Sequence, residues 1–402
     1  MRLTNNVVSQ SKKLKVSITF AALTIVLISN ALDFWFSGRA GFGYPIYSYM
    51  TSPVGRFDDF YNNLYTNADL KNFYTVQKFV FWPVGILFYQ VFSIFPVGFG
   101  LALFQILSIL IFATVLHRFS GCKVTTVALL MSFPVLFCLA RGNNELILSA
   151  VVMFAISKRS DFGTNKVSAS LFVLANLFEA SPFGFFLWNN PVRTFLRVSW
   201  QFIFLNAVFL FGFIRFQNMW EYVDGLVNGA RYASGGIDFS FVHHHSLMSA
   251  IGIGNLYLFD TSLSSSSVRF LSSLILFVGV FIMILALKFR IYDEIDRLLL
   301  VFVSWSIFPA VSADYKMVYL LFPLSLLLGL NHRNSLQKIQ LWFLVLAVIP
   351  KHFIWVNSPS NPVGGSIGGF LNPLLLFAVF LITLSKGKPQ QNKSLTKEIS
   401  VN

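Results

Sequence analysis

The stretch 268–287, VRFLSSLILFVGVFIMILAL, contains a single charged residue, Arg269, in 20 positions. A helix of about 20 apolar residues is long enough to cross the hydrocarbon core of a bilayer. The stretch therefore predicts a transmembrane helix, and similar stretches recur along most of the chain.

The composition of the 402-residue chain agrees with a membrane protein: 55% of its residues are hydrophobic, only 11% are charged, and the mean hydropathy is +0.68. A soluble domain has about 25% charged residues, because water must solvate its surface. The composition excludes a soluble globular enzyme, a disordered chain and a disulfide-stapled secreted domain. Cys122 and Cys138 lack the spacing of a metal site.

The net charge of +14 comes from 30 basic and 16 acidic residues. In a chain this apolar, such a balance indicates cytoplasmic loops rich in Lys and Arg. We therefore expect no nucleic-acid partner.

Twelve apolar runs suggest an all-α polytopic membrane protein with about 12 transmembrane helices and two large outer loops. The runs are 16–36, 79–96, 99–117, 124–140, 144–157, 167–188, 198–216, 268–287, 298–312, 317–331, 339–356 and 368–385. We expect the first to be an uncleaved signal anchor. Residues 1–386 are interpreted as a single membrane domain, and 387–402 as a polar cytoplasmic tail.

Charge sets the predicted orientation of the runs. The segments assigned to the inside hold 20 of the 30 basic and 5 of the 16 acidic residues, as the positive-inside rule requires. They are 1–15, 118–123, 158–166, 193–197, 288–297, 333–338 and 386–402. Residues 79–117 join an outer loop to an inner segment and must therefore cross the membrane an odd number of times, so one of their two runs, 79–96, is a candidate for an interfacial or re-entrant helix. Both flanks of run 167–188 are predicted inside, so this run is a candidate for two short helices.

Polar residues cluster in the segments predicted on the outer face, chiefly in the loops 37–78 and 217–267. The chain has neither a Walker nor a Gly-x-Gly-x-x-Gly phosphate loop. In the first loop, the adjacent carboxylates Asp58 and Asp59 offer a general base or a cation ligand. The alternative is a pair of solvated loop acids, or a helix cap.

A second cluster, Arg141-Gly142-Asn143-Asn144-Glu145, opens an apolar run. On one helix Arg141 and Glu145 would be four residues apart and could pair, and a cation held in this way suits an anionic headgroup. The alternative is an ordinary helix start with an Asn cap.

Three further polar sites are candidates for substrate binding. Glu179 lies within an apolar run, where an acid usually faces a partner or a water-filled cavity. His243, His244, His245 and Ser246 lie in the second large loop, where imidazole binds phosphate or transfers a proton; an exposed loop is the alternative. Asp314 and Lys316 occupy a tight turn, where Lys316 either snorkels or neutralises a phosphate.

In order and spacing, these motifs resemble glycosyltransferase family 87 (DUF2029), which includes polyprenol-phosphate-mannose-dependent alpha-mannosyltransferases. The resemblance covers most of residues 16–330. The matching steps are Asp59-Phe60, Phe81-Trp82-Pro83, Arg141-Gly142-Asn143-Asn144 (Gly-Gln-x-Asn in the family), Glu179-Ala180-Ser181-Pro182 (Lys-x-x-Pro) and His244-His245-Ser246-Leu247 (Asn-Gln-Ser-Leu).

The resemblance implies a GT-C architecture at the plasma membrane. It implies transfer of a hexose, mannose first, from a polyprenyl-phosphate-sugar donor to a lipid or glycan acceptor, with membrane lipids around the site. Asp59, or Asp58, would be the base of an inverting displacement. Arg141, Lys316 and a histidine of 243–245 would hold the donor phosphate, and we expect no metal or cofactor.

Two other functions remain open. A transporter or flippase for lipid-linked sugars would use the same cavity without chemistry, although such proteins usually show internal repeats, which this sequence lacks. An O-antigen-type polymerase would bind a diphosphate and would need more outer-face arginines.

Overall fold

The structure, a computed structural model, describes part of the chain. The described residues are 20–25, 27–28, 59–60, 88–89, 91–157, 186–187, 196, 199–201, 203–205, 207–208, 245–259, 263–309, 314–349, 355–358 and 361–389. Asp58, Glu179, His243 and His244 lie outside them, as do most of the runs 16–36, 79–96, 167–188 and 198–216. The described part is mostly helical, in agreement with the predicted fold class.

Four consecutive helices span residues 97–157. They are α1 (Val97–Ser120), α2 (Lys123–Leu130), α3 (Phe133–Arg141) and α4 (Glu145–Ser157). The predicted run 124–140 corresponds to α2 and α3, which are bent by 51° relative to each other. Pro134 lies in the first turn of α3, where a proline starts a new helix but cannot continue the preceding one.

The middle of the chain contributes α5 (Leu247–Phe259), α6 (Ser265–Phe289), α7 (Glu294–Ile307), a 3₁₀ helix (Asp314–Leu320) and α8 (Leu321–Gly329). Side chains begin two of these helices: Ser264 accepts from the backbone of Ser267, and Asp293 from that of Asp296. Every residue of α7 from Leu298 to Ile307 is buried, as expected for a central helix that is apolar on all sides.

The last described segment contains α9 (Ser335–Val348), β2 (Trp355–Ser358), β3 (Asn361–Ser366), α10 (Ile367–Lys386) and β4 (Lys388–Pro389). Strands β2 and β3 form an antiparallel hairpin, and β4 pairs antiparallel with β1 (Arg290–Ile291). The two small sheets add to the predicted all-α fold. The first residues of the predicted tail 387–402 are therefore paired with another segment.

The predicted run 339–356 is too long at its carboxyl end. Helix α9 ends at Val348, and Ile349 is extended at φ −72°, ψ 137°. Pro350 follows in the sequence, and the residue before a proline is disfavoured in helical geometry.

Among the described residues, three helices are long and apolar enough to cross a membrane: α1, α6 and α10. The bent pair α2–α3 makes a fourth if it forms one span. The exposed phenylalanines of α6, Phe270 and Phe277 among them, suit contact with lipid. These helices support a membrane protein. Helices α4 and α9 and the helical stretch Lys316–Gly329 are shorter, and the number of about 12 spans stays a prediction.

At one end of the bundle, the end of α6, the starts of α7 and α9 and the end of α10 meet. Lys386 pairs with Asp296 at 2.5 Å, and Gln340 donates to Thr383 at 2.9 Å. We call Asp296, Gln340, Thr383 and Lys386 the Asp296 cluster. The described residues 386–389 of the predicted inner segment 386–402 thus lie beside the predicted inner segment 288–297.

The carboxyl end of α3 lies toward the end of the bundle that is opposite the Asp296 cluster. Ser120, at the end of α1, approaches Gly329 at the end of α8, and α9 begins after a short turn. Gln105, by contrast, donates to the carbonyl of Leu139 in α3 at 2.8 Å. Residues 105 and 120 are about 22 Å apart along α1, at 1.5 Å per residue.

Candidate functional site

Three of the predicted site residues form one polar cluster. Arg141 Nη2 lies 2.6 Å from Asp59 Oδ1, and Asn143 Nδ2 donates to Asp59 Oδ2 at 2.8 Å. The Arg141 and Asp59 side chains are 22% and 20% exposed, so the ion pair is accessible at its edge. We call these three residues the Asp59 cluster; it joins positions 82 or more apart in the chain.

A sharp helix end holds Arg141 and Asn143 in place. Gly142 closes α3 at φ 64°, ψ 38°, a left-handed conformation that favours glycine. The backbone N–H of Asn143 reaches back to the carbonyl of Cys138 at 3.0 Å. Arg141 and Glu145 do not share one helix, because α3 ends at Arg141 and α4 begins at Glu145, and Arg141 pairs with Asp59.

Asn143 serves both the fold and the cluster. Its Oδ1 accepts from the backbone N–H of Glu145 at 2.8 Å, which caps the start of α4. Its Nδ2 donates to Asp59. The alternative interpretation of an Asn cap is therefore correct for the fold, while the same side chain also orients the carboxylate.

Phe60 anchors the other side of the cluster. Its ring is fully buried and lies 5.3 Å from that of Phe104 and 6.2 Å from that of Tyr89, measured between centroids. A Cβ added at Gly142 would come within 2.6 Å of the Phe60 Cβ. This close approach needs a glycine, and it brings the neighbouring Asp59 against the end of α3.

Asn144 and Glu145 lie beneath the Asp59 cluster and are almost fully buried. Asp59 and Glu145 are both within electrostatic range of the buried Cys138 thiol. A carboxylate in the first turn of α4 is stabilised by the helix dipole. The Nδ2 of Asn144 has no hydrogen-bond partner among the described residues.

His245 and Ser246 are buried at the start of α5, so an exposed loop is the wrong interpretation for these two residues. Ser246 Oγ accepts from the backbone N–H of Ser249 at 3.1 Å and caps the helix. Burial, together with the positive charge of Lys316, lowers the pKa of His245 to about 3. His245 is therefore a neutral imidazole at physiological pH.

The 3₁₀ helix, which contains Asp314 and Lys316, connects these groups because it packs against α3, α4 and α7. Lys316 is partly buried and lies within electrostatic range of His245. The Asp314 side chain lies outside the described part. The structure thus brings Asp59, Arg141, Asn143, Asn144 and Glu145 together, and it links this region to Lys316 and His245 through one short helix.

Three polar residues were absent from the sequence-based candidates: Gln105 and Asn372, which lie in apolar runs, and Ser249, which lies in the predicted loop 217–267. Gln105 joins α1 to α3. Ser249 Oγ donates to the carbonyl of Gly369 at 3.3 Å, and Asn372 is fully buried in α10. The signal of Gln105 and Asn372 in the sequence is an uncharged polar side chain within an apolar run, which a hydropathy average hides.

Within the described ranges, no group of three His, Cys, Asp or Glu side chains is arranged to hold a metal ion. Comparisons of the chain with protein-family models, with characterised proteins and with solved structures find no match. The candidate function therefore rests on the site's own geometry and on the motifs.

Proposed function

We propose that the chain is a multi-pass glycosyltransferase of the plasma membrane. It moves a hexose, mannose first, from a polyprenyl-phosphate-sugar donor to a lipid or glycan acceptor on the outer face, with inversion. The observation that carries the proposal is the Asp59 carboxylate, which is held by Arg141 and Asn143 and is one-fifth exposed at an end of the bundle.

The carboxylate has the chemistry of a general base. In the proposed step, the acceptor hydroxyl gives its proton to Asp59 while its oxygen attacks the anomeric carbon. The bond from that carbon to the phosphate oxygen breaks, and polyprenyl phosphate leaves with the electron pair. A single displacement of this kind inverts the anomeric centre, and one carboxylate suffices for it.

Arg141 links phosphate binding to base activation. In this structure its guanidinium is bonded to Asp59 Oδ1, and arginine also binds phosphate in a bidentate manner. An arriving donor phosphate competes with Asp59 for the guanidinium. The carboxylate oxygen that it releases can then accept the proton from the acceptor hydroxyl.

Two other features favour an anionic leaving group at this end. Lys316 lies at the start of the 3₁₀ helix, close to His245. Helix α5 begins at the same place with its Ser246 cap, and a helix amino terminus attracts phosphate. A neutral His245 supplies a hydrogen bond rather than a second charge.

The alternative function, a flippase for the same lipid-linked sugars, is favoured by one observation. Asn372 and Pro373 interrupt the apolar candidate span α10, and polar or broken helices line the substrate path of many transporters. Such a protein would move the labelled lipid across the bilayer and leave its sugar attached.

The test is a transfer assay in membranes with a radiolabelled polyprenyl-phosphate-mannose donor. Asp59→Asn keeps the shape of the side chain and removes the base, so we expect a loss of about 10²- to 10⁴-fold in rate. Glu294→Gln, which neutralises an acid at the opposite end of the bundle, is the matched control and should keep the wild-type rate. Full activity of Asp59→Asn would end the base assignment, and label that crosses the bilayer without transfer would favour the flippase.

A further inference from the structure

A second polar site lies where α5 and α10 begin side by side. Ser249, in the first turn of α5, donates through Oγ to the carbonyl of Gly369 in the first turn of α10. Pro373 lies four residues after Gly369 and has no N–H, so that carbonyl lacks its usual helical donor. The serine replaces the missing bond and fixes the two helix starts against each other.

Asn372 lies one turn further along α10. Its side chain is fully buried, and neither atom of its amide has a hydrogen-bond partner among the described residues. Residues three apart share a helix face, and side chains lean toward the helix amino terminus. The amide therefore points back to the level of Gly369 and the junction with α5.

Burying an amide without partners is unfavourable, because the amide loses its hydrogen bonds to water. An asparagine kept in an apolar span is thus explained best by a ligand that offers both a donor and an acceptor. Phosphate offers only acceptors, whereas neighbouring hydroxyls of a sugar match the Nδ2 donor and the Oδ1 acceptor together.

We propose that Asn372, at the junction with Ser249, binds hydroxyl groups of the sugar that the protein handles. The site lies at the start of α5, where His245 and Lys316 are also found, so a sugar bound there would have its phosphate beside these groups. This inference rests on the proposed function for its choice of probes. The same hydroxyl chemistry is found in the donor sugar and in a glycan acceptor.

The experiment measures binding to the purified full-length chain in lipid nanodiscs. One arm compares polyprenyl-phosphate-mannose with polyprenyl phosphate, and the other compares hexyl α-mannoside with hexanol. We expect the wild type to bind the sugar-bearing member of at least one arm about tenfold more tightly, a factor that two hydrogen bonds can supply. The arm that shows the preference identifies the donor or the acceptor as the source of the sugar.

Asn372→Leu removes both polar atoms and keeps a similar volume. It should abolish the preference for the sugar while the thermal unfolding midpoint stays equal or rises, because an unpaired buried amide is lost. Thr383→Val in the same helix is the matched control: Thr383 is buried and bonded to Gln340 and Val379. That variant should lower the midpoint and keep the preference.

A preference that survives in Asn372→Leu would overturn the inference, as would a wild type without preference in either arm. The proposed function has a separate readout in the transfer of label. Preference without transfer would contradict the glycosyltransferase and leave the sugar site standing. Transfer and sugar preference that Asn372→Leu does not change would contradict the sugar site alone.

Discussion

The ion pairs Arg141–Asp59 and Lys386–Asp296 lie at opposite ends of the bundle and have nearly the same separation, 2.6 and 2.5 Å. Their surroundings differ. Lys386 and Asp296 are only 10% and 4% exposed, and Gln340 bonds to both of them. Arg141 and Asp59 are 22% and 20% exposed, and Asn143 also donates a hydrogen bond to the Asp59 carboxylate.

This difference separates a structural ion pair from one that a ligand can enter. The Asp296 cluster is closed, because Gln340 also bonds to Thr383 and both charges are satisfied inside the protein. The Asp59 cluster is partly exposed, and it connects Asp59 to the end of α3. A phosphate or a hydroxyl can compete for the Arg141–Asp59 pair at little cost, but not for the Lys386–Asp296 pair.

The largest effect should come from Lys386→Met. It leaves the Asp296 carboxylate buried without its cation, which typically lowers the free energy of unfolding by about 3–5 kcal/mol. Chemical denaturation in detergent micelles measures this loss. Sugar transfer per folded molecule should remain at the wild-type level, because the cluster lies at the far end from Asp59.

The double variant Asp296→Leu/Lys386→Met is the control, since it removes both charges and should recover much of the stability. A Lys386→Met protein as stable as the wild type would show that this pair is not the structural one. The comparison between the two ends would then fail.

Part of this comparison could be predicted from the sequence. Apolar runs located α1, α4, α6 and α10 within a few residues, because a long run of apolar residues favours a buried or membrane-spanning helix. Asp59, Arg141 and Asn143 were chosen because polar residues at span ends stand out. The carboxyl end of run 339–356 was wrong because Pro350 ends the helix within a stretch that stays largely apolar.

The pairings could not be predicted. Arg141 reaches Asp59 across 82 positions, and one sequence without a structure gives no signal for such a contact. On the sequence alone the nearer Glu145 was a possible partner on one helix, although the Gly142 between them is a common helix C-cap signal. Asn372 was hidden for the opposite reason: one amide barely changes the mean hydropathy of an apolar run.

Acidic pH should weaken the end that contains the Asp59 cluster more than the other end. The pKa of His245 is lowered to about 3 in the folded protein, against about 6.5 in an unfolded chain. Protons therefore bind the unfolded state more readily, and the contribution of His245 is complete above about pH 7.5 and is lost as the pH falls from 6.5 toward 3. At pH 5 the loss is about 2 kcal/mol.

Unfolding midpoints measured from pH 8 to pH 5 check this expectation. His245→Gln should show a weaker dependence on pH than the wild type, whereas His332→Gln, which removes an exposed histidine, should follow the wild type. Identical curves for all three proteins would mean that His245 is not held as a neutral buried imidazole.

The smallest change in stability should come from Arg141→Met, the counterpart of Lys386→Met at the other end. Asp59 is one-fifth exposed and keeps the Asn143 hydrogen bond, so water compensates much of the lost ion pair and the free energy of unfolding should fall by only about 1 kcal/mol. Sugar transfer, by contrast, should fall sharply, since the same guanidinium is proposed to meet the donor phosphate. A stability loss as large as that of Lys386→Met would show that Arg141 belongs to a closed structural pair, and an unchanged transfer rate would remove it from the site.

Arg141→Lys keeps the charge but loses the bidentate geometry, and an intermediate rate for that variant at wild-type stability would assign the arginine to the phosphate rather than to the fold.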